Sequence, residues 1–176
     1  MSRKPCADNP YDLAASVLIV DRGRVLFAKH RKIGQWVPVG GHVEPGELPE
    51  DAAVREAFEE CGLKVRLHGE RALGDSEHYR SLLRPAFMDL HHVLGDHWHL
   101  GMIYFATVAG GELRLCEREH EDLRWFSPVE LADPRWSISQ ALQYYAQEAL
   151  RSCSDREAGS RMSRVDEQCL SRNLDK

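Results

Sequence analysis

Residues 40–63 read GGHVEPGELPEDAAVREAFEECGL and join a glycine-rich loop to an acidic helix. Three glycines and a proline lie between Gly40 and Gly46, which predicts a loop with tight backbone turns. A helix is predicted over Pro49–Cys61, because proline is favoured at the first helical position and the acidic residues after it lie at the positive end of the helix dipole. Gly62 predicts where this helix ends.

Three glutamates of the predicted helix share one face. Glu56, Glu59 and Glu60 are spaced i, i+3 and i+4, so their side chains are neighbours. Carboxylates placed in this way repel one another, which suits a bound divalent cation, and oxygen ligands suit Mg²⁺ or Mn²⁺ rather than zinc. The alternative is a solvated acidic face that binds nothing. The helix alone does not decide between the two.

The spacing of the whole stretch resembles the signature of the Nudix hydrolases. That signature begins with a glycine, which is followed after five intervening residues by a glutamate and after seven more by an Arg-Glu pair. An aliphatic residue and one residue of any type then precede a Glu-Glu pair. One further residue separates this pair from a final glycine and an aliphatic residue. The matching positions here are Gly41, Glu47, Arg55, Glu56, Glu59, Glu60, Gly62 and Leu63. Ala57 stands at one aliphatic position, and the proline before the glycine pair is displaced to Pro38.

The resemblance implies a catalytic metal site. Its metal ligands would be the carboxylates of Glu56, Glu59 and Glu60 and the backbone carbonyl of Gly40. Arg55 would orient carboxylates together with Glu47, and Glu47, Gly41 and Gly62 would have structural roles. Family members often take the general base, or another metal ligand, from a loop before a late aromatic strand. The candidates are Glu119 and Glu121, with Glu117 behind them, and Glu59 if neither loop residue is close.

Basic and histidine side chains are the candidate substrate contacts. Lys29 and Arg31 lie in a basic cluster just before the acidic loop, and we expect them to contact phosphates or sugar. His42 either hydrogen-bonds within the loop or contacts a ligand phosphate. His97 and His99 alternate in a predicted strand, so a zinc site is one interpretation. No cysteine or histidine partner at the usual spacing lies nearby, which favours a substrate pocket lined by these histidines.

The order of predicted elements indicates an α/β fold. Strands are predicted at 13–20, 24–30, 63–73, 86–93, 100–108, 112–116 and 123–126, with a turn at Gly95-Asp96, a helical turn from Ser127-Pro128 and a closing helix at 138–150. This order implies a mixed sheet with helices on its faces, in agreement with the αβα sandwich of Nudix proteins. The predicted domain spans 13–150. An N-terminal arm (1–12) precedes it, and a polar tail (151–176), expected to be flexible or loosely docked, follows.

Composition limits the functional class. At 176 residues the chain is long enough for one domain with a full core. A net charge of −5 argues against a protein built to bind nucleic-acid backbones. No signal peptide and no apolar run long enough to span a bilayer are present, so no membrane attachment is expected. Five scattered cysteines without a CxxC pair are typical of free thiols in the cytoplasm.

The sequence thus predicts a metal-dependent hydrolase of a diphosphate linkage in a nucleoside diphosphate joined to another moiety. Two alternatives remain at this stage. The first is a binding or regulatory module of the same fold without turnover. The second is a prenyl-diphosphate isomerase, which would need a cysteine and a glutamate facing an apolar pocket. The resemblance also implies a homodimer as one arrangement of the protein, because family members are often dimers. It names no substrate.

Overall fold

A computed structural model describes residues 11–93 and 97–154, and over these residues it shows one mixed sheet of eight strands with helices on both faces. The strands are β1 (Asp12–Asp21), β2 (Arg24–His30), β3 (Trp36–Val37), β4 (Val39–His42), β5 (Leu63–His68), β6 (Phe87–Val93), β7 (His97–Gly111) and β8 (His120–Phe126). The helices are α1 (Pro49–Cys61), the short α2 (Pro128–Leu131), a 3₁₀ turn (Pro134–Trp136) and α3 (residues 140–154). No helix among the described residues is long and apolar enough to cross a membrane.

The sheet is built around β1, which runs parallel to β7 from the pair Asp12 and His99 to the pair Val20 and Thr107. On its other edge β1 pairs antiparallel with β4 and then turns into β2. β2 also pairs with β3 and β8, whereas β7 pairs with β5 and β6. This register brings the start of β1, the end of β4 and the start of β7 to one corner of the sheet.

Each face of the sheet carries its own apolar core. Helix α1 covers one face, where the fully buried Ala53 and Ala57 pack with Val17 and Tyr104. Ala57 occupies the aliphatic position of the Nudix signature, and its small side chain lets the helix lie close to the strands. Helix α3 covers the other face with a cluster that includes Phe105. The predicted αβα sandwich is therefore confirmed.

Helix α1 has the predicted bounds, and Gly62 ends it as predicted. Gly62 has a φ of +73°, and its N–H donates to the carbonyl of Phe58 at 3.0 Å. A side chain at this position would place its Cβ 2.5 Å from the carbonyl oxygen of Glu112. Only glycine satisfies both the left-handed backbone and the close approach.

Several predicted bounds differ from the structure. β7 is much longer than predicted, because pairing with β1, β5 and β6 along its length supports it. β5 ends at His68, before the predicted 73. The predicted loop from Gly40 to Gly46 is wrong in its first part, because residues 40–42 pair with β1 and belong to β4. The predicted strand at 112–116 is wrong: β7 continues to Gly111, and the backbone N–H groups of Arg114 and Cys116 then bond the last carbonyls of α1 at 2.9 and 3.1 Å. A segment that caps a helix in this way has no strand partner.

The ordered elements extend past the predicted domain bounds of 13–150 at both ends. β1 begins at Asp12, and the closing helix, predicted at 138–150, occupies residues 140–154. The predicted turn at Gly95-Asp96, residues 1–10 of the predicted arm and residues 155–176 of the predicted tail lie outside the described residues.

Candidate active site

The glycine pair in β4 allows α1 to lie against the strand. The N–H of Gly40 donates to Oε2 of Glu60 at 3.0 Å, and a Cβ on Gly40, whose φ is +153°, would lie 2.4 Å from the carbonyl oxygen of Ala15. A Cβ on Gly41 would lie 2.4 Å from Oε1 of Glu56. Gly41 therefore leaves the space that the carboxylate of Glu56 occupies, whereas Gly40 allows β4 to lie close to the backbone of β1.

Arg55 is the hub of the carboxylate face. Its guanidinium donates to both oxygens of Glu47 at 2.8 and 2.9 Å, to Glu56 at 2.7 Å, to Glu59 at 3.1 Å and to the carbonyl of His42 at 3.0 Å. The bond from Arg55 lowers the pKa of the Glu47 carboxyl, and in return raises the pKa of Arg55. Arg55 thus links Glu47 to Glu56 and Glu59, and its orienting role together with Glu47 stays a prediction.

Glu56 and Glu59 face the same space, because both accept from the same guanidinium nitrogen. Their environments differ. Burial raises the pKa of Glu56, and the nearby charges of Glu60 and Glu59 raise it further, against the attraction of Arg55. The side chain of Glu59 is 58% exposed and open to solvent. The carboxylate of Glu56 is thus mostly buried, whereas that of Glu59 lies at the protein surface.

Glu60 and His120 form a buried pair that the sequence analysis missed. Nε2 of His120 lies 2.9 Å from Oε1 of Glu60 without meeting hydrogen-bond geometry, and the two residues are 1% and 3% exposed. A carboxylate oxygen of Glu119 lies within 4.8 Å of both ligand atoms. Nothing in the local pattern identified His120, because the antiparallel pairing of β8 with β2 brings it to the helix.

The loop before β8 separates the candidate general bases. Glu119 lies beside Glu60, whereas Glu121 pairs with Lys29 at 3.1 Å. Arg31 donates to the carbonyl of Glu117 at 3.1 Å and also to that of His120, so its guanidinium braces this loop. The predicted contacts of Lys29 and Arg31 with substrate stay predictions.

The three predicted substrate histidines form a second group. His42, His97 and His99 meet around Asp12, a residue that the sequence analysis did not identify. His42 follows Gly41, which faces α1, and side chains alternate along a strand. The group therefore lies on the face of the sheet opposite α1, away from Glu56.

The residues around α1 fit a hard divalent cation. Glu56, Glu59, Glu60 and Glu119 supply carboxylate oxygens, the donors that Mg²⁺ and Mn²⁺ prefer. Within the described residues (11–93 and 97–154), neither Oε2 of Glu56 nor Oε1 of Glu59 accepts a hydrogen bond. Both ring nitrogens of His120 are buried and also have no hydrogen-bond partner there. The buried nitrogens of His120, with Nε2 2.9 Å from Oε1 of Glu60, are polar atoms that a group supplying positive charge would satisfy.

Comparisons with known proteins identify the family of this chain. A family model described as the NUDIX domain matches residues 10–146. A putative 8-oxo-dGTP diphosphatase from Bacillus subtilis is 30% identical over 122 residues, which cover 69% of this chain and 70% of that protein. An NAD-capped RNA hydrolase NudC from Chromobacterium violaceum is 29% identical over 119 residues, but the chain spans only 37% of its length.

Solved structures show the same likeness. The crystal structure of a NUDIX-family hydrolase from Clostridium perfringens is similar with a TM-score of 0.75 and 32% identity, covering 82% of this chain and 99% of that one. A MutT NUDIX hydrolase from Burkholderia pseudomallei has a TM-score of 0.58 and 26% identity, over 81% of this chain and 98% of that one. By sequence, fold and the arrangement of its glutamates, this chain belongs to the Nudix family and is one of its hydrolases.

Proposed function

We propose that this enzyme is a Mg²⁺- or Mn²⁺-dependent pyrophosphohydrolase of nucleotides or nucleotide derivatives. The observation that carries the proposal is the convergence of Glu56 and Glu59 on one nitrogen of Arg55, with Glu60 held beside them by the N–H of Gly40. Several carboxylates gathered in one place form a favourable site for a divalent cation and an unfavourable one without it.

Glu56, Glu59 and Glu60, with the carbonyl of Gly40, would hold the metal. When bound, the cation would neutralise the diphosphate oxygens and acidify a water molecule. The protein's own contribution is to fix the ligands. Arg55 holds Glu56 and Glu59 toward each other, and the fork from Arg55 to Glu47 keeps the guanidinium in place.

Glu119 is the proposed general base or additional metal ligand. It lies beside the buried Glu60, whereas Glu121 is held by Lys29. A carboxylate at this point is within reach of a water bound near Glu60 and could accept its proton. The attacking water would add to one phosphorus, and the P–O bond to the bridging oxygen would break. The products are a nucleotide and a phosphorylated second moiety, or inorganic pyrophosphate or phosphate where the substrate is a nucleoside polyphosphate.

Nucleoside triphosphates are the first substrates to test. The Bacillus subtilis relative is named for 8-oxo-dGTP, and a mouse relative, 36% identical over 87 residues that cover 47% of this chain and 53% of that protein, is named for oxidized purine nucleoside triphosphates. ADP-ribose, dinucleotides and sugar nucleotides complete the panel, because the NudC name points to a dinucleotide-type linkage.

A cytoplasmic location and a homodimer complete the proposal. Cys61 and Cys116 are free thiols, which suits a reducing compartment. Gel filtration with light scattering measures the oligomeric state.

The state of Cys61, the cysteine of the signature helix, disfavours the isomerase alternative. Cys61 is fully buried, its thiol donates to the carbonyl of Ala57 at 2.9 Å, and burial raises its pKa to about 11. A thiol in that state does not exchange protons with a substrate near neutral pH.

The test is metal-dependent release of phosphate or nucleotide over the panel, with Glu56→Gln as the key variant. We expect turnover in Mg²⁺ or Mn²⁺, none after chelation, and a loss of about a hundredfold or more in Glu56→Gln with its fold intact. Glu70→Gln is the control, since it neutralises a carboxylate that is 72% exposed and whose partner, Arg84, is equally exposed. Normal turnover by Glu56→Gln in Mg²⁺ would refute the assignment.

A further inference from the structure

We propose that Asp12, His42, His97 and His99 form a second metal site that binds a zinc ion, on the face of the sheet opposite α1. This His₃Asp cluster is separate from the carboxylates of α1 and does not depend on the proposed function. Zinc is the expected occupant because three imidazoles and one carboxylate form a donor set that zinc takes up in tetrahedral geometry.

Strand pairing creates the cluster. In the parallel ladder of β1 with β7, Asp12 lies opposite His99. His97 lies two residues before His99 in β7 and therefore on the same face of the sheet. In the antiparallel ladder of β1 with β4, Ala14 lies opposite His42. Four residues from three strands therefore meet at one corner. The spacing of His97 and His99 alone offers only two ligands, and the sheet supplies the other two.

The distances between the four ligand atoms are close to those around a tetrahedral ion. Nε2 of His97 lies 2.8 Å from Nε2 of His99 and 3.4 Å from Oδ2 of Asp12, and Nε2 of His42 lies 3.7 Å from the same oxygen. All four ligand atoms lie within 4.8 Å of one another. A tetrahedral zinc ion with bonds of about 2.0–2.2 Å holds its ligand atoms roughly 3.3–3.6 Å apart. The cluster therefore needs only small side-chain adjustments to bind the ion.

Hydrogen bonding inside the cluster explains only part of this arrangement. One proton shared between His97 and His99 accounts for their 2.8 Å contact. It does not account for His42, whose nitrogen is too far from Asp12 for a hydrogen bond but whose ring lies 4.7 Å from that of His99. A metal ion at the centre gives every one of the four groups the same partner.

The surroundings hold the inner ligand and leave the outer ones accessible. The ring of His91 packs edge-on against His99 at 5.4 Å, and His91 is itself bonded to Asp89 at 2.8 Å. Gly101 makes room for this pair, because a Cβ there would lie 2.7 Å from Oδ1 of Asp89. The side chains of Asp12 and His42 are 57% and 56% exposed, so an ion can enter from solvent.

Zinc here would also affect the active-site loop. The carbonyl of His42 accepts from Arg55 at 3.0 Å, so the ion and the carboxylate hub hold the same residue from opposite faces of the sheet. We expect the zinc-bound protein to be more stable, because a ligand that binds only the folded state shifts the unfolding equilibrium.

The experiment uses the untagged chain of 176 residues, stripped of metal and held in excess Mg²⁺ so that the carboxylate site is filled. Zn²⁺ is titrated against a chromogenic chelator, and bound zinc is counted by elemental analysis after gel filtration. We expect one zinc per chain, an increase in melting temperature, and, with Co²⁺, the intense visible absorption of a tetrahedral site.

Variants separate this site from other sources of zinc binding. His97→Ala and Asp12→Asn should each weaken zinc by more than about a hundredfold, because loss of a direct ligand costs more than loss of an outer partner. His92→Ala is the matched control, since His92 is exposed and its register partner is Trp98, on the other face of the sheet. His92→Ala and Glu56→Gln should keep full zinc affinity.

Two results would overturn the proposal. Zinc that binds only when Mg²⁺ is omitted, or that binds equally well to His97→Ala, would show that the histidines form no metal site. A raised KM for nucleotides in His97→Ala with unchanged zinc affinity would instead assign these side chains to a substrate pocket. Circular dichroism checks that each variant is folded, and Asp12→Asn, at an exposed position, provides the test if a histidine variant does not fold.

Discussion

Replacing Arg55 by glutamine tests whether the carboxylates of α1 share one counter-charge. The substitution removes the cation but keeps a side chain of similar polarity. Arg55 is 25% exposed, and it loses its fork to Glu47 and its bond to Glu56, whose side chains are 16% and 12% exposed. The contact with Glu59 is also lost, but that side chain is mostly in solvent.

The loss of stability can be worked from these contacts. A charge-assisted hydrogen bond contributes about 1.5–3 kcal/mol when shielded from solvent, so the fork to Glu47 counts for about 2 kcal/mol at this partly buried position. The bond to Glu56 adds about 1 kcal/mol, and the exposed contact with Glu59 adds little. The total of about 3 kcal/mol corresponds to a fall in melting temperature of roughly 10 °C for a chain of this size.

Metal should recover part of that loss. A divalent cation replaces the missing positive charge beside Glu56 and Glu59 but cannot reach the fork on Glu47. We therefore expect the destabilisation to fall from about 3 to about 2 kcal/mol in saturating Mg²⁺, and by linkage the variant should bind Mg²⁺ about fivefold more tightly. Turnover should still fall, since Glu56 is no longer held in place.

Urea unfolding with and without Mg²⁺ and a calorimetric Mg²⁺ titration measure these quantities. Arg84→Gln is the control, because its partner Glu70 is as exposed as Arg84 itself and the pair should contribute little. An equal loss of stability in chelator and in Mg²⁺, or weaker Mg²⁺ binding by Arg55→Gln, would refute the idea that the ion and the guanidinium neutralise the same carboxylates.

Three further predictions concern the same region. Gly41→Ala should reduce turnover in a phosphate-release assay by about a hundredfold, because the new Cβ displaces the carboxylate of Glu56. The free energy of unfolding in urea should fall by less than about 1 kcal/mol, since only the flexible end of that side chain must move. A variant with full activity would contradict this. Since Arg55 holds the pKa of Glu47 below its ordinary 4.5, the stability from this pair is present above pH 4.5 and is lost as the pH falls through the lowered value. Acid unfolding of Arg55→Gln should lack that component, and an unchanged profile would be the contrary result. The buried thiol of Cys61, with its pKa raised to about 11, should resist alkylation at neutral pH until the protein unfolds, as peptide mass spectrometry after timed labelling can show.

The sequence alone was sufficient where the cause of the structure is local. Helix α1 begins at Pro49 and ends before Gly62 because capping and backbone preferences act within a few residues. The spacing of Glu56, Glu59 and Glu60 places them close together on any helix, and the Nudix signature could therefore be read without a structure.

Prediction was weaker where an element depends on its partners. The segment 112–116 has the composition of a strand, yet it caps α1 because no neighbouring strand is available to it. Conversely, β7 is far longer than its apolar run, because three other strands supply its backbone hydrogen bonds. Strand length is set by pairing, which local composition does not encode.

The sequence by itself determined the acidic helix and the Nudix spacing, and hence the family of the protein, but it did not show that Gly40 and Gly41 lie in a strand. Only the tertiary structure decided which distant groups join that helix and which do not. In the structure His120 lies beside Glu60, and Glu121 forms an ion pair with Lys29. Asp12 lies next to His42, His97 and His99 on the opposite face of the sheet. The physical reason is strand register: one hydrogen-bonded ladder fixes which residues face each other across many intervening positions, and it does so through contacts that no local pattern contains.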